Sequence, residues 1–180
     1  KDILGFPLTH TNNGWLNLSG AEYVDVGMNF DDMSDFTVEA WARVNVFENY
    51  SRILGCETSG NEQHLRLDAS NHFQAKFHIG TTEETIAGTT NINDGEWHYV
   101  TVTYDGTNLK IYTDDDDEQS TAASGTVDAN GKNLFIGARN ENGTVNAWLK
   151  GQVDEVRIYD RVLTSAEITK NYNHGKSKHS

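Results

Sequence analysis

The chain has 180 residues, a formal net charge of −13 and one cysteine, Cys56. This length fits one domain with a sizeable core, and an aromatic share of 10% is typical of a folded protein rather than an acidic disordered tail. The charge argues against nucleic acid or an anionic membrane as a partner, and no apolar run reaches the roughly 18 residues of a membrane span. The sequence starts at Lys1 without a methionine, so we expect a piece of a larger modular chain.

Short segments with a strand pattern follow one another, separated by Gly, Asn, Asp, Ser and Thr. Alternating apolar and polar residues predict strands in 15–18, 23–26, 36–44, 51–55, 64–68, 73–79, 97–104, 109–113 and 134–137. Residues 164–173 are predicted to be helical, because Thr164 and Glu167 have the spacing of a capping box. The pattern predicts an all-β fold, a two-sheet antiparallel jelly-roll sandwich with one short C-terminal helix. We expect one domain over 1–174 and a disordered polar tail over 175–180.

Two adjacent carboxylates, Asp154 and Glu155, come at the start of a predicted strand whose apolar residues are typical of a core. In that strand Val156 and Ile158 point one way, with the residues between them pointing the other. Carboxylates at such a position indicate either a surface turn or a metal site.

Several segments in a fixed order resemble one family, the laminin G-like, concanavalin A-like lectin-glucanase jelly-roll domains of bacterial modular secreted proteins. The segments are 18–26, 36–41, 94–100, 103–106, 134–137 and 148–168. The resemblance implies a two-sheet jelly roll, often with a structural calcium ion, and often attached to a secreted carbohydrate-active enzyme or adhesin. The family includes lectins, carbohydrate-binding modules, adhesion domains and some enzymes, so function has to be argued from the site.

The resemblance also implies where calcium would bind. In such domains the ion joins an early Gly-x-Asp-Tyr-Val corner to the Asp of a late Asp-Glu-Val-Arg strand, and here those positions are Gly20, Glu22 and Asp154. Calcium takes six to eight oxygen ligands, and Glu22 replaces the usual aspartate with a side chain one methylene longer. The alternative is that Glu22 and Asp154 are solvated turn carboxylates.

Catalytic carboxylate pairs are not evident. Glycoside hydrolysis needs two carboxyl groups about 5–9 Å apart. Asp154 and Glu155 are adjacent and are expected to face opposite ways, while Glu39 has no second carboxylate two or four residues on. Residues that a jelly-roll lyase would need are scattered and lack its motif order: His64, Arg66, His78, Tyr99 and Tyr112. We therefore expect no enzyme activity.

Sugar sites combine an exposed aromatic ring with planar polar groups that bind hydroxyls. Trp15 is out of phase with Leu16 and Leu18, so it is the tryptophan expected to face outward. The other candidates lie in loops that should cluster at one end of the sandwich: Tyr50, Arg52, Arg139, Asn140 and Asn142. Tyr50 would provide the ring and Arg139 the forked donor.

A second candidate surface is the outward face of the concave sheet. Arg66, Lys76 and His78 would gather positive charge there on an otherwise acidic protein, which would suit an anionic polysaccharide. Alternatively, these residues form ordinary cross-strand pairs with Glu39 and Asp68.

Together these features predict a secreted, extracellular, non-catalytic carbohydrate-binding module, stabilised by calcium and attached to a polysaccharide-active enzyme. Its partner would be a polysaccharide or oligosaccharide. One alternative is an adhesion or protein-binding module, and another is a weak glycanase or polysaccharide lyase.

Overall fold

The computed structural model describes residues 2–5, 14–46, 48, 51–58, 61–129 and 131–180. The strands are β1 Asp2–Gly5, β2 Leu16–Ser19, β3 Val24–Asp25, β4 Phe36–Val46, β5 Arg52–Thr58, β6 Asn61–Leu67, β7 His72–Ile79, β8 Thr82–Asn91, β9 Trp97–Tyr104, β10 Asn108–Thr113, β11 Asp116–Ala122, β12 Phe135–Ile136, β13 Arg139–Glu141, β14 Thr144–Asn146 and β15 Lys150–Tyr159. One helix, α1, spans Ser165–Lys176.

The strands form two sheets. The first has the order β1-β15-β4-β9-β10-β11, and β2 also pairs with β15. The second has the order β14-β13-β5-β6-β7-β8, and β12 joins β5 to β3. Strands far apart in sequence, such as β15 and β4, are antiparallel neighbours, whereas β13 and β5 run parallel. This architecture confirms the predicted all-β, two-sheet jelly-roll sandwich with a short C-terminal helix.

Alternate residues of the central strands fill the space between the sheets, as the sequence pattern predicts. On β7 the buried residues alternate with half-exposed polar ones along the whole strand. The buried residues of β4, β7 and β9 that share this core include Phe36, Val38, Ala40, Phe73, Ala75, Phe77, Ile79, Val100, Val102 and Tyr104. The polar residues between those of β7 therefore lie on the outer face of the second sheet.

Helix α1 covers the outer face of the first sheet. A second apolar cluster lies there, formed by Trp41, Tyr99, Tyr112, Tyr159, Leu163 and Ile168, with Trp97 and Tyr172 packed against it. As a result β4 is buried on both faces, and its residues from Phe36 to Ala42 are all buried. Within the described part of the chain, no helix is long and apolar enough to cross a membrane.

A buried carboxylate lies beneath the helix. Glu39, which is fully buried, accepts hydrogen bonds from Arg157 at 2.8 Å, from the Tyr159 hydroxyl at 3.1 Å, and from the Tyr99 hydroxyl. Asn171 of α1 also donates to it, at 3.1 Å. A buried charge is stable only when it is paired and hydrogen-bonded, so these contacts explain how the sheet tolerates it.

The start of α1 agrees with the sequence and its end does not. Thr164 and Glu167 form the predicted capping box. However, the helix continues to Lys176, and the segment 175–180 is not the disordered tail that we predicted. It packs on the first sheet, and His179 is buried there against Trp41. This contact could not be predicted from the polar composition of residues 175–180, because only the fold brings the Trp41 ring beside them.

Candidate functional site

One row of residues crosses the outer face of the second sheet. Phe135 pairs with Gly55, Gly55 pairs with His64, and His64 pairs with Lys76. Their sequence neighbours Leu54, Cys56, Leu65, Ala75, Leu134 and Ile136 point into the core. We call the side of β12, β5, β6 and β7 that points away from the core the outer face, and from here on this name refers only to the second sheet.

An exposed ring stands at one end of the outer face. Tyr23, just before β3, keeps 43% of its surface exposed. Its ring stacks on Phe135 with centroids 4.6 Å apart and planes at 17°, and it lies 5.8 Å from the ring of Trp148. Phe135 itself is only 6% exposed, so it supports Tyr23 from below. A supported, exposed ring is the element that covers the apolar face of a sugar.

Gly55 lies in the middle of the row, where it leaves space for neighbouring side chains. A Cβ on Gly55 would lie 3.4 Å from two side-chain carbons of Arg52 and 3.3 Å from the Cβ of His64. The missing side chain therefore lets Arg52 cross the sheet over Gly55. Arg52 fills this space and is itself only 1% exposed, so its side chain closes the centre of the outer face.

Cationic groups occupy the other end. Arg66 faces Gln74 across β6 and β7, and its Nε donates to the Gln74 side-chain oxygen at 2.6 Å. Lys76 Nζ lies 3.3 Å from Glu62 and 2.9 Å from Glu83. Arg66, Lys76 and His78 thus lie on one face. Lys76 pairs with Glu62 and Glu83 and not with the Glu39 of the alternative, because Glu39 belongs to the other sheet.

The histidine at the centre is buried and neutral. Burial, together with the charges of Arg52 and Arg66, outweighs the attraction of Glu62 and lowers the pKa of His64 to about 3. Contact with His64, and the charges of Lys76 and Arg52, hold the pKa of Glu62 at about 2 despite its partial burial. Glu62 lies 3.3 Å from His64 Nδ1, yet neither ring nitrogen makes a hydrogen bond with a described residue. His64 is only 2% exposed, so its ring lies within the sheet surface and is not open to solvent.

The hairpin β13–β14 borders this face beside β5 and contains three predicted ligand residues. Arg139 donates to Asn146 at 2.7 Å and to Glu141 at 2.6 Å, within the hairpin. Asn140 accepts the backbone N–H of Gly143, and Asn142 is exposed in the turn. Their role in binding stays a prediction.

Two predicted ligand residues remain, Trp15 and Tyr50. Trp15 lies next to the first sheet, edge-on to Trp97 at 5.7 Å, and is half-buried. It is not brought to the outer face. Tyr50 lies outside the described residues. Among the predicted residues Arg52 belongs to the outer face, whereas Tyr23 and His64 were not predicted as binding residues. The alternation of Tyr23 with Val24 could have indicated an outward ring.

Comparison with known proteins agrees with this fold. A family model described as the concanavalin A-like lectin/glucanases superfamily, of the laminin G type, matches residues 18–169. The chain belongs to this superfamily. Comparison with curated proteins finds no significant match.

Several solved structures share the concanavalin A-like fold. The CBM40 of the Ruminococcus gnavus IT-sialidase bound to alpha2,3 sialyllactose has a TM-score of 0.78 and 14% identity, with 96% of this chain and 99% of that chain covered. The binding domain of botulinum neurotoxin DC in complex with SialylT has a TM-score of 0.69 and 15% identity, with coverages of 97% and 44%. A leech intramolecular trans-sialidase has a TM-score of 0.73 and 9% identity, with coverages of 87% and 26%. At these identities the likeness shows the fold.

The calcium corner implied by the superfamily is not assembled from the expected residues. Glu22 accepts hydrogen bonds from the Ser19 N–H at 2.7 Å and the Ser19 hydroxyl at 2.8 Å. A Cβ on Gly20 would lie 2.7 Å from Lys150 Cε, so a lysine covers the corner. Lys150 pairs with Ser19, and Asp154 lies four residues further along β15, about 13 Å away. At this separation, Gly20, Glu22 and Asp154 do not meet around one ion as the chain is arranged.

The two carboxylates of β15 share one side of the sheet instead. The register of β15 against β4 shifts between Asp154 and Arg157, and Glu155 has a positive φ of 48°. This irregularity overturns the expectation that the adjacent residues face opposite ways. Asp154 lies 3.0 Å from the His179 ring, and Glu155 pairs with Lys178 and Arg157. Both carboxylates therefore hold the C-terminal segment.

Proposed function

We propose that the chain is a non-catalytic carbohydrate-binding module that takes a glycan on the outer face. The observation that carries the proposal is the exposed Tyr23 ring, stacked on Phe135, at one end of a sheet face whose other end carries Arg66 and Lys76. A sugar ring would stack on Tyr23, and further units of a longer glycan would reach Arg66 and Lys76, which keep part of their side chains exposed.

An acidic glycan fits this face best. Arg66 and Lys76 bring cations to the partly exposed end of this face, beside Glu62 and Glu83, on a chain whose net charge is −13. Arginine in particular binds carboxylates through two parallel N–H groups. The similar CBM40 domain solved with sialyllactose supports an acidic sugar as the ligand class.

The chemistry of the face favours binding over hydrolysis. A glycosidase needs one carboxylic acid that still carries its proton at working pH. Glu62 has a pKa of about 2, so it is ionised and cannot donate a proton. Glu83 lies 2.9 Å from Lys76 as an ion pair.

The wider context is part of the proposal. Membership of the superfamily supports a secreted, extracellular module attached to a polysaccharide-active enzyme in a larger chain. Calcium stays a prediction, now without the ligand set Gly20, Glu22 and Asp154.

The test is glycan binding by Tyr23→Ala. We expect affinity for an acidic oligosaccharide, measured by calorimetry after a glycan array has identified it, to fall about tenfold, which is about 1.4 kcal/mol. Tyr23 is largely exposed, so the melting temperature should change little. Val46→Ala is the matched control, since Val46 is another exposed apolar residue, on β4 of the first sheet. Unchanged affinity in Tyr23→Ala, or an equal loss in the control, would remove the outer face from the proposal.

A further inference from the structure

The C-terminal segment after α1 returns to the first sheet and buries a histidine ring. The His179 side chain is 0% exposed. Its ring stacks on Trp41, with centroids 4.4 Å apart and planes at 12°, and meets Trp97 edge-on at 4.7 Å and 64°. We call the space bounded by Trp41, Trp97, Asp154 and Gly175 the aromatic slot.

Both nitrogens of the ring face acceptors. Nδ1 of His179 lies 2.8 Å from the carbonyl oxygen of Gly175, and Nε2 lies 3.0 Å from Oδ2 of Asp154. A backbone carbonyl and an ionised carboxylate only accept hydrogen bonds, and a neutral imidazole has only one N–H. An imidazolium, which donates from both edges, would satisfy both acceptors. Stacking on the Trp41 face adds a cation–π attraction.

Further negative charge surrounds the aromatic slot. The adjoining cavity has a volume of about 220 Å³, and Glu96 and Asp114 line it. With Asp154, three carboxylates thus face this region. Asp114 pairs with His98 and Lys176 lines the same cavity, so the carboxylate that acts directly on the His179 ring is Asp154.

The nearby lysines have partners of their own. Lys176 Nζ lies 4.9 Å from the centroid of the Tyr172 ring, and Lys178 pairs with Glu155. They border the aromatic slot, but the group stacked on Trp41 and bonded to the slot's acceptors is His179.

A glycine gives the aromatic slot its shape. A Cβ on Gly175 would lie 2.2 Å from Trp41 Nε1, so only glycine lets the last turn of α1 approach the indole this closely. That approach holds the Gly175 carbonyl oxygen where it meets the ring stacked on Trp41. One acceptor comes from the helix and the other from β15, on opposite sides of the slot.

We propose that the aromatic slot is a binding site for a flat cation with N–H donors on two edges, an imidazolium or a guanidinium, and that His179 of the same chain is its resident occupant. Occupancy fastens residues 177–180 to the first sheet. The slot lies on the opposite sheet from the outer face, so this inference is independent of glycan binding.

The test empties the slot and refills it from solution. We expect His179→Ala to lower the melting temperature by about 4 °C, as fits the loss of a buried, doubly bonded ring in a chain of this size. Imidazole added at about pH 6, where it is mainly protonated, should restore most of that loss. Wild type should gain nothing, because its slot is filled. His174→Ala is the matched control, because His174 is an exposed histidine of α1, which precedes residues 177–180.

Charge and donor geometry are tested separately. Imidazole should rescue His179→Ala less well at about pH 8.5, where it is mainly neutral, whereas methylguanidinium should rescue equally at both values. His179→Phe keeps the stacked ring without donors, and we expect no gain from imidazole. An equal gain in wild type, His174→Ala and His179→Ala would overturn the proposal, as would the absence of rescue in a folded His179→Ala protein. If His179→Ala does not fold, full stability of His179→Phe would overturn it.

Discussion

Two buried histidines experience opposite electrostatic environments. His64, among arginines, has a pKa of about 3 and is neutral. Burial alone would also lower the pKa of His98, but hydrogen bonds and charge from Asp114 and Asp94 outweigh burial and raise it. Nδ1 of His98 lies 2.7 Å from Asp114, and Nε2 lies 3.2 Å from Asp94. His64 is a neutral ring whose nitrogens have no hydrogen-bond partner among the described residues. His98 acts as a charged clamp between the turn at Asp94 and the turn at Asp114.

The raised pKa of His98 predicts that the unfolding free energy depends on pH. Because the folded pKa of His98 exceeds the unfolded value of about 6.5, its stabilisation is complete below that pH and is lost as the pH rises through the folded pKa. We expect the difference in unfolding free energy between wild type and His98→Gln to shrink from about pH 6 to about pH 9, measured by urea denaturation. The matched change His174→Gln should show no such trend. A difference that grows with pH would contradict the assignment.

At the scale of elements, a single side chain closes one edge of the sandwich. β11 is the edge of the first sheet and β8 the edge of the second. Glu118 of β11 accepts the backbone N–H groups of Thr89 at 3.0 Å and Thr90 at 3.1 Å. A Cβ on Gly88 would lie 1.6 Å from Glu118 Oε2, so glycine makes room for the carboxylate. The contact also blocks an edge that could otherwise pair with another chain.

Gly88→Ala should therefore act through Glu118. We expect Gly88→Ala and Glu118→Ala each to lower the unfolding free energy by about 1–2 kcal/mol, as for the loss of charge-assisted hydrogen bonds. Because both remove the same contact, the double variant should cost little more than either single one in a thermal or urea cycle. Additive losses would mean that the glycine acts independently of the carboxylate.

Local patterns predicted elements well where one face of a strand meets the core. Residues 73–79 alternate strictly, and Thr164 with Glu167 marked the start of α1. The pattern of β4 indicated a strand but not that α1 covers its second face, because a buried Glu39 reads as polar. Tyr23 and Phe135 are 112 residues apart, so only sheet pairing reveals their stack.

For the whole molecule, the separation of Glu22 from Asp154 bears on calcium. We expect Asp154→Asn to lower the melting temperature equally with and without chelator, because it weakens the bond to His179 rather than an ion site. Glu22→Gln, at an exposed corner, should change it little in either condition. Thermal melts in calcium and in chelator provide the measurement. If both variants abolish one chelator-sensitive shift, a shared calcium ion is restored.

Because α1 covers the first sheet and not the second, the two broad sides of the sandwich differ in exposure. Thr37, Glu39, Trp41, Thr101 and Thr103 would be the outward residues of β4 and β9, yet all are buried. Among the described residues, the outward side chains of β7 in the second sheet keep partial exposure, unlike these residues of β4 and β9. If the proposed glycan binding is correct, a long polymer can approach the module from one direction only, and any chain attached to the module must leave the second sheet facing that polymer.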